Sequence, residues 1–337
     1  FTANNGPISG TGSFTLAALI KTTSDDKGWI MQQRDTDTQG DYWFVMRDDG
    51  CVGYGEYRDD YGLSIDSYMT VNDGEWHHIA FVRDASENKG YIYIDGTLSA
   101  GALNDGDIKD INSNSDFCIG KDLKDNNDHF NGAIDAVRIY ERALSAEDIL
   151  KLYSEECLIA RYSLDGNAND ISGNDHHATL NGSPTLTTDR FGDADSAYYF
   201  DGVNDYLQLP NLENVRGISM WVNIPDGQSD WRYLLDAREG LSNGWVADGA
   251  SDGSFGSGWE KMYVNGVGNT CKWDNIPKGE WVNLYFETKE DSFDDQINFM
   301  SRYNNTEFLE GTISDIRLYN RSITATQSGS NYGINIY

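Results

Sequence analysis

The chain has 337 residues and a formal net charge of −30, with 35 glycines, 20 tyrosines and only 5 prolines. Such an acid excess argues against nucleic acid, whose binding rests on neutralising phosphates, and against an anionic membrane surface. No stretch is long and apolar enough to cross a bilayer as a helix, so no membrane insertion is expected. The length suits two domains, and a mix rich in Gly and Tyr but poor in Pro suits many strands joined by tight turns.

In chain order, residues 14–20, 29–33, 42–47 and 52–57 read as successive strands parted by polar turn-formers. Residues 74–96 follow as strand, loop, strand and turn. Ile79-Ala80-Phe81-Val82 is a short apolar run that suits a strand buried on both faces. Tyr91-Ile92-Tyr93-Ile94 alternates, placing both isoleucines on one face and both tyrosines on the other. Asp95-Gly96 is a favoured hairpin turn, because Gly accepts positive φ and Asp tolerates it. Two further strands are expected at 117–119 and 134–140. Ser145 with Asp148 then makes a capping box ahead of Ile149, Leu150 and Leu152, predicting one short helix over 146–153 and a linker at 154–156.

These blocks carry a family resemblance. Ser13 to Thr22, Asp41 to Met46, the 74–96 stretch and Phe130 to Tyr140 resemble, in this order, the concanavalin A-like sandwich family, in its laminin-G-like and pentraxin-like branch. The resemblance implies an all-β chain of antiparallel jelly-roll sandwiches.

The second half repeats the first. Gly279-Glu280-Trp281 parallels Gly74-Glu75-Trp76, residues 311–319 parallel 132–140, and Ile218 to Val222 matches the 14–20 strand. The hairpin of residues 91–96 is missing after Trp281. A similar piece, Lys261-Met262-Tyr263-Val264-Asn265-Gly266, stands before it instead. Thr324 to Gln327 repeats the capping box, predicting a short helix after this closing strand too. The expectation is two tandem laminin-G-like β-sandwich domains, 1–156 and 157–337, the second divergent and rearranged at one edge.

Four cysteines lack CxxC spacing and leave three possible disulfide pairings open. Three sequons, at Asn181, Asn304 and Asn320, are compatible with secretion. Glucan-cleaving members of the superfamily set paired carboxylates on one strand about 5 Å apart, and no E-x-D-x-x-E pattern occurs here. Asp291 to Asp295 reads as a loop of solvated carboxylates, and His77 and His78 as packed strand residues. Adjacent His176 and His177 point apart on an extended chain.

The resemblance also implies calcium, near a D-x-S-G turn and near the Asp of the closing strand. Asp170 and Gly173 match the first element in the second domain, and Asp135 matches the second element in the first. Neither domain has both, since Ser314 stands where Asp135 does. The alternative for Asp170 is a turn in which it bonds its own backbone. For ligand binding, exposed aromatic rings stack on sugar faces while nearby polar groups take hydroxyls. The candidates are Trp43, Tyr54 and Tyr57 in the first domain and Trp231, Trp245 and Trp259 in the second. The expected function is an extracellular, non-catalytic carbohydrate-binding or adhesion module at a cell or virion surface, possible partners being a glycan or cell-surface ligand. The alternatives are a structural protein–protein adhesion domain and a polysaccharide hydrolase or lyase.

Overall fold

A computed structural model describes residues 2–3, 5–34, 41–57, 63–101, 108–111, 115–123, 129–228, 231–248, 253–289 and 292–323. The chain divides into two compact units, Phe1–Tyr153 and Ser154–Tyr337. Each is built from antiparallel sheets, as alternating side chains require when one face must be buried.

In the first unit, one sheet runs in the order Thr2–Ala3, Asp116–Ile119, Gly28–Arg34, Asp41–Met46, Cys51–Tyr57, Ser64–Thr70. The other runs Ala133–Tyr140, Phe14–Lys21, Trp76–Asp84, Lys89–Ile94, Thr97–Gly101. Phe14, Leu16, Ala18, Ile20, Ile79, Phe81, Ile92 and Ile94 face Tyr42, Phe44, Met46 and Tyr54 in one core. The helix spans Ala146–Glu156 and lays Ile149 and Leu152 on Ala17, Ala80, Val82 and Tyr93, the back of the five-stranded sheet. The 79–82 run is therefore buried on both faces, as its apolarity implies. The capping box is formed: Asp148 N–H donates to Ser145 Oγ at 3.1 Å and Ser145 N–H to Asp148 Oδ2 at 3.2 Å. The expected linker 154–156 is instead the last helical turn.

In the second unit, the larger sheet runs Thr185–Thr187, Ala197–Asp201, Glu310–Tyr319, Gly217–Asn223, Trp281–Thr288, Trp259–Val264, Val267–Asn269. Leu158–Tyr162 also pairs with Glu310–Tyr319. The smaller sheet runs Thr179–Asn181, Tyr206–Val215, Phe293–Phe299, Arg232–Asp236, Trp245–Asp248. Register ties this unit to the first. Trp76 pairs with Lys21, which pairs with Ala133; Trp281 pairs with Asn223, which pairs with Thr312. Both closing strands break register just beyond, at Ala136 (φ 47°) and Asp315 (φ 45°).

The edge hairpin occupies matching places by different routes. Lys89–Ile94 follows Trp76–Asp84 in sequence and pairs Ile94 with Ile79. Trp259–Val264 precedes Trp281–Thr288 and pairs Val264 with Leu284. Asp95-Gly96 and Asn265-Gly266 both turn with positive φ at both residues, the two-residue geometry that follows strand twist. Asp95 Oδ1 accepts the His78 N–H and Asn265 Oδ1 the Asn283 N–H, at 2.8 and 2.9 Å. The capping box at Thr324 to Gln327, and with it the second expected helix, lies outside the described residues. None of the four cysteines, all among the described residues, forms a disulfide.

Candidate functional site

The outer face of the smaller sheet in the second unit gathers aromatic and arginine side chains. On Arg232–Asp236 a register break falls between Tyr233 and Leu235. Leu234 and Leu235 both join the core as a result, and Tyr233 and Asp236 fall on the opposite face. Trp231 precedes the strand in the left-handed region (φ 54°), a conformation that costs a non-glycine residue about 1 kcal/mol or more. That backbone brings its ring 5.6 Å from Trp245 and 6.5 Å from Tyr233, centroid to centroid. Trp231 and Tyr303 are each 41% exposed, Trp245 is half-buried, and Tyr233 is buried beneath them.

Two arginines hold the rings in place. The Arg238 guanidinium carbon is 5.1 Å from both the Tyr233 and Tyr303 ring centroids, and that of Arg302 is 5.9 and 5.7 Å away. Arg238 donates two bonds from its fork to buried Asp236, at 3.0 Å through Nε and 2.5 Å through Nη2. Arg302 donates to Glu307 at 3.0 Å. The loop carrying Tyr303 is stitched down: Tyr303 N–H donates to Asp236 Oδ2, and Asn298 Nδ2 donates to Arg302 O and Asn305 Oδ1. Arg232 Nη1 donates to Phe308 O at 2.9 Å. The result is a rigid ledge of exposed rings bordered by guanidinium and amide groups, apolar in its faces and polar at its rim.

Of the aromatic candidates, only Trp231 and Trp245 meet here. Tyr54 is a correction: it is fully buried, its ring stacked on Phe81 at 3.4 Å with its hydroxyl donating to Glu56. It pairs opposite core-facing Phe44, and that register puts it inside. Trp259 is a second correction. It packs in the core against Phe286 and Phe293. Trp43 does point away from the core, but it is only 9% exposed. It lies against Trp29 and Val45 and over Gly53 and Gly55, where a Cβ would strike its indole. The Tyr57 side chain lies outside the described residues. Tyr303, Tyr233, Arg238 and Arg302 escaped the sequence reading; the Trp231-Arg232-Tyr233 and Arg302-Tyr303 juxtapositions were the available signal.

Residues 1–150 match the family model described as the concanavalin A-like lectin/glucanases superfamily, of laminin-G type. Over those residues the chain is similar to that superfamily. Among curated proteins no match was found. A heptameric SAP-like pentraxin from Limulus polyphemus is similar at 15% identity and TM-score 0.36, over 46% of this chain and 81% of that one. A Ruminococcus gnavus sialidase CBM40 bound to α2,3-sialyllactose is similar at 15% identity and TM-score 0.37, over 45% and 98%. Domains LG4–5 of mouse laminin α1 are similar at 10% identity and TM-score 0.36, over 95% and 91%.

The calcium that the superfamily resemblance implies does not fit the residues proposed for it. Calcium needs carboxylate oxygens with free lone pairs. Asp170 Oδ1 accepts N–H bonds from Arg161 and Ser172, and Oδ2 accepts from the Ser172 hydroxyl and the His176 N–H, all at 2.9–3.0 Å. Burial works against its ionisation, yet these donors hold its pKa below the usual carboxylate range. Asp170 N–H in turn donates to His177 Nδ1 at 3.1 Å. Gly173, at φ 97°, serves the same turn. Asp135 is exposed, with its Oδ1 taken by the Ala136 N–H. In the second unit Asp315 is shared by Arg161 and Arg317, so guanidinium groups supply the positive charge beside it. Among the described residues, no three His, Cys, Asp or Glu side chains group closely enough to hold a metal ion.

Two further expectations change. His77 is clamped between carboxylates, Nδ1 2.7 Å from Asp95 and Nε2 3.0 Å from Asp73. Burial tends to lower its pKa, and the two carboxylates together raise it. Of the acidic run at 291–295, Asp291 lies outside the described residues. From Phe293 the run is strand rather than loop: Asp294 is exposed as expected, its Oδ1 accepting the Asn214 N–H, whereas Asp295 is buried in the Phe293–Phe299 strand.

Proposed function

We propose that the chain is a non-catalytic carbohydrate-binding module of an extracellular or cell-surface protein, its glycan stacking on Trp231, Trp245 and Tyr303. The observation that carries this reading is the ledge itself. Exposed ring faces suit the apolar face of a pyranose, and the Arg238 and Arg302 guanidinium groups stand beside them with N–H donors for hydroxyls. The rings sit on paired strands and a bonded loop, so little ordering entropy is lost on binding. The ledge's own carboxylates, Asp236 and Glu307, are each tied to an arginine, which suits recognition better than acid–base chemistry. The match of residues 1–150 to a lectin/glucanase superfamily model supports the reading.

A glycan array probed with the intact chain tests the proposal. Binding to at least one glycan is expected, weakened about five- to thirty-fold by Trp231→Ala or Trp245→Ala, the equivalent of about 1–2 kcal/mol per stacked ring. Chelator is expected to leave binding unchanged. Binding that survives both substitutions would place the ligand elsewhere.

A further inference from the structure

A second cluster lies on the other sheet of the second unit, away from the aromatic ledge. Where the closing strand Glu310–Tyr319 turns at Asp315, one carboxylate serves two guanidinium groups. Arg161 Nε donates to its Oδ1 at 3.1 Å, and Arg317 donates through Nε at 3.1 Å and Nη2 at 2.7 Å. A third guanidinium, Arg190, joins them. Its Cζ is 4.4 Å from the Trp221 ring centroid and 4.3 Å from that of Phe191. Among the described residues, no hydrogen bond or ion pair engages its N–H donors, and its close contacts are with the two rings.

That arrangement is unusual for this chain. A net charge of −30 leaves carboxylates in excess, yet here Arg161 and Arg317 share one acid, and Arg190 feels their charges together with those of Asp315 and Asp189. Partial burial disfavours the Arg190 charge, Asp315 and Asp189 support it, and Arg317 and Arg161 oppose it. Asp189 Oδ1 accepts the Phe191 and Asp193 N–H groups. A guanidinium stacked on aromatic faces keeps its N–H edge in the ring-free plane, the geometry that grips two oxygens of a carboxylate or sulfate at once. Phe191, 62% exposed, leaves the cluster open to solvent on that side.

We infer that Arg190, walled by Trp221 and Phe191 and backed by Arg161 and Arg317, forms a binding site for a small oxyanion, a carboxylate or sulfate ester. This site is independent of the aromatic ledge. The remote acids of the chain repel anions, but a screening length of about 8 Å at physiological salt confines that repulsion, so direct bonds decide the outcome.

The test titrates the intact chain at physiological ionic strength with glucuronate, with sulfate, and with glucose as the neutral control. The readout is the Arg190 Nε–H nuclear magnetic resonance signal, assigned by its loss in Arg190→Lys. A saturable shift is expected with glucuronate, sulfate or both, and none with glucose. A response to glucuronate alone assigns a carboxylate, and to sulfate alone a sulfate ester. Arg190→Gln is expected to weaken anion binding about tenfold or more, followed through the Trp221 indole signal. Arg190→Lys keeps the charge, loses the fork, and is expected to fall between. Trp231→Ala, which removes part of the ledge, is expected to leave the response intact. An Arg190 signal unmoved by both anions, or equal anion affinity in Arg190→Gln, overturns the inference.

Discussion

Single residues show how position decides the behaviour of chemically identical groups. Asp295 is buried in a strand, and burial pushes its pKa up to about 6, against the pull of the Gly240 and Gln296 N–H bonds it accepts. The folded chain therefore holds this proton to higher pH than the unfolded chain, where aspartate ionises near 3.9. Stability from this group is present at low pH and lost as pH rises from about 4 through about 6. Asp295→Asn should raise thermal stability at pH 7, by about 1 kcal/mol allowing for residual solvent, and flatten that part of the pH profile. A steeper profile in the variant would contradict this. Asp170 behaves oppositely. Its accepted bonds favour the charged form, so Asp170→Ala should destabilise the second unit by about 1–3 kcal/mol in urea unfolding. Adding calcium to the wild type should leave its midpoint unmoved, because the lone pairs are already in use.

Elements were legible where a local rule and the global fold agree. The Asp95-Gly96 and Asn265-Gly266 turns could be read from two residues each, and so could the unusual place of the second hairpin ahead of Trp281. Gly96→Ala should cost about 1–2 kcal/mol and lower the melting temperature. The position needs φ 72°, and an added Cβ would sit 3.0 Å from Leu150 and 3.1 Å from Tyr153 of the helix. An unchanged melting temperature would mean the turn relaxes freely. Less legible was what covers each sheet face. Alternation says that Tyr42 and Phe44 share one side and Trp43 and Val45 the other, but not that Trp43 is shielded by its own neighbours and paired glycines. Tyr54 needed the inter-strand register, and Asp295 a strand that the acidic run concealed. The ledge draws on the Arg232 strand, the Trp245 strand and the loop at Tyr303, so only their meeting in space reveals it.

At the scale of the whole chain, two separate cores hold residues from different halves, Ile8 to Phe130 in one and Ala160 to Leu318 in the other. The charge of −30 is spread over both and works against compactness. Raising sodium chloride from about 20 to about 300 mM should therefore raise the melting temperature, because the screening length falls below the spacing of most surface acids. A fall in melting temperature would show that exposed local ion pairs, such as Arg142 with Asp148, outweigh the general repulsion.

The hairpin that borders Trp76 in one unit and Trp281 in the other enters once from downstream and once from upstream. The seam it completes is indifferent to the path by which backbone arrives; complementarity along the edge is what seats it. Evolution, or a protein engineer, can thus cut and resplice the polypeptide beside that seam while keeping every neighbour in place.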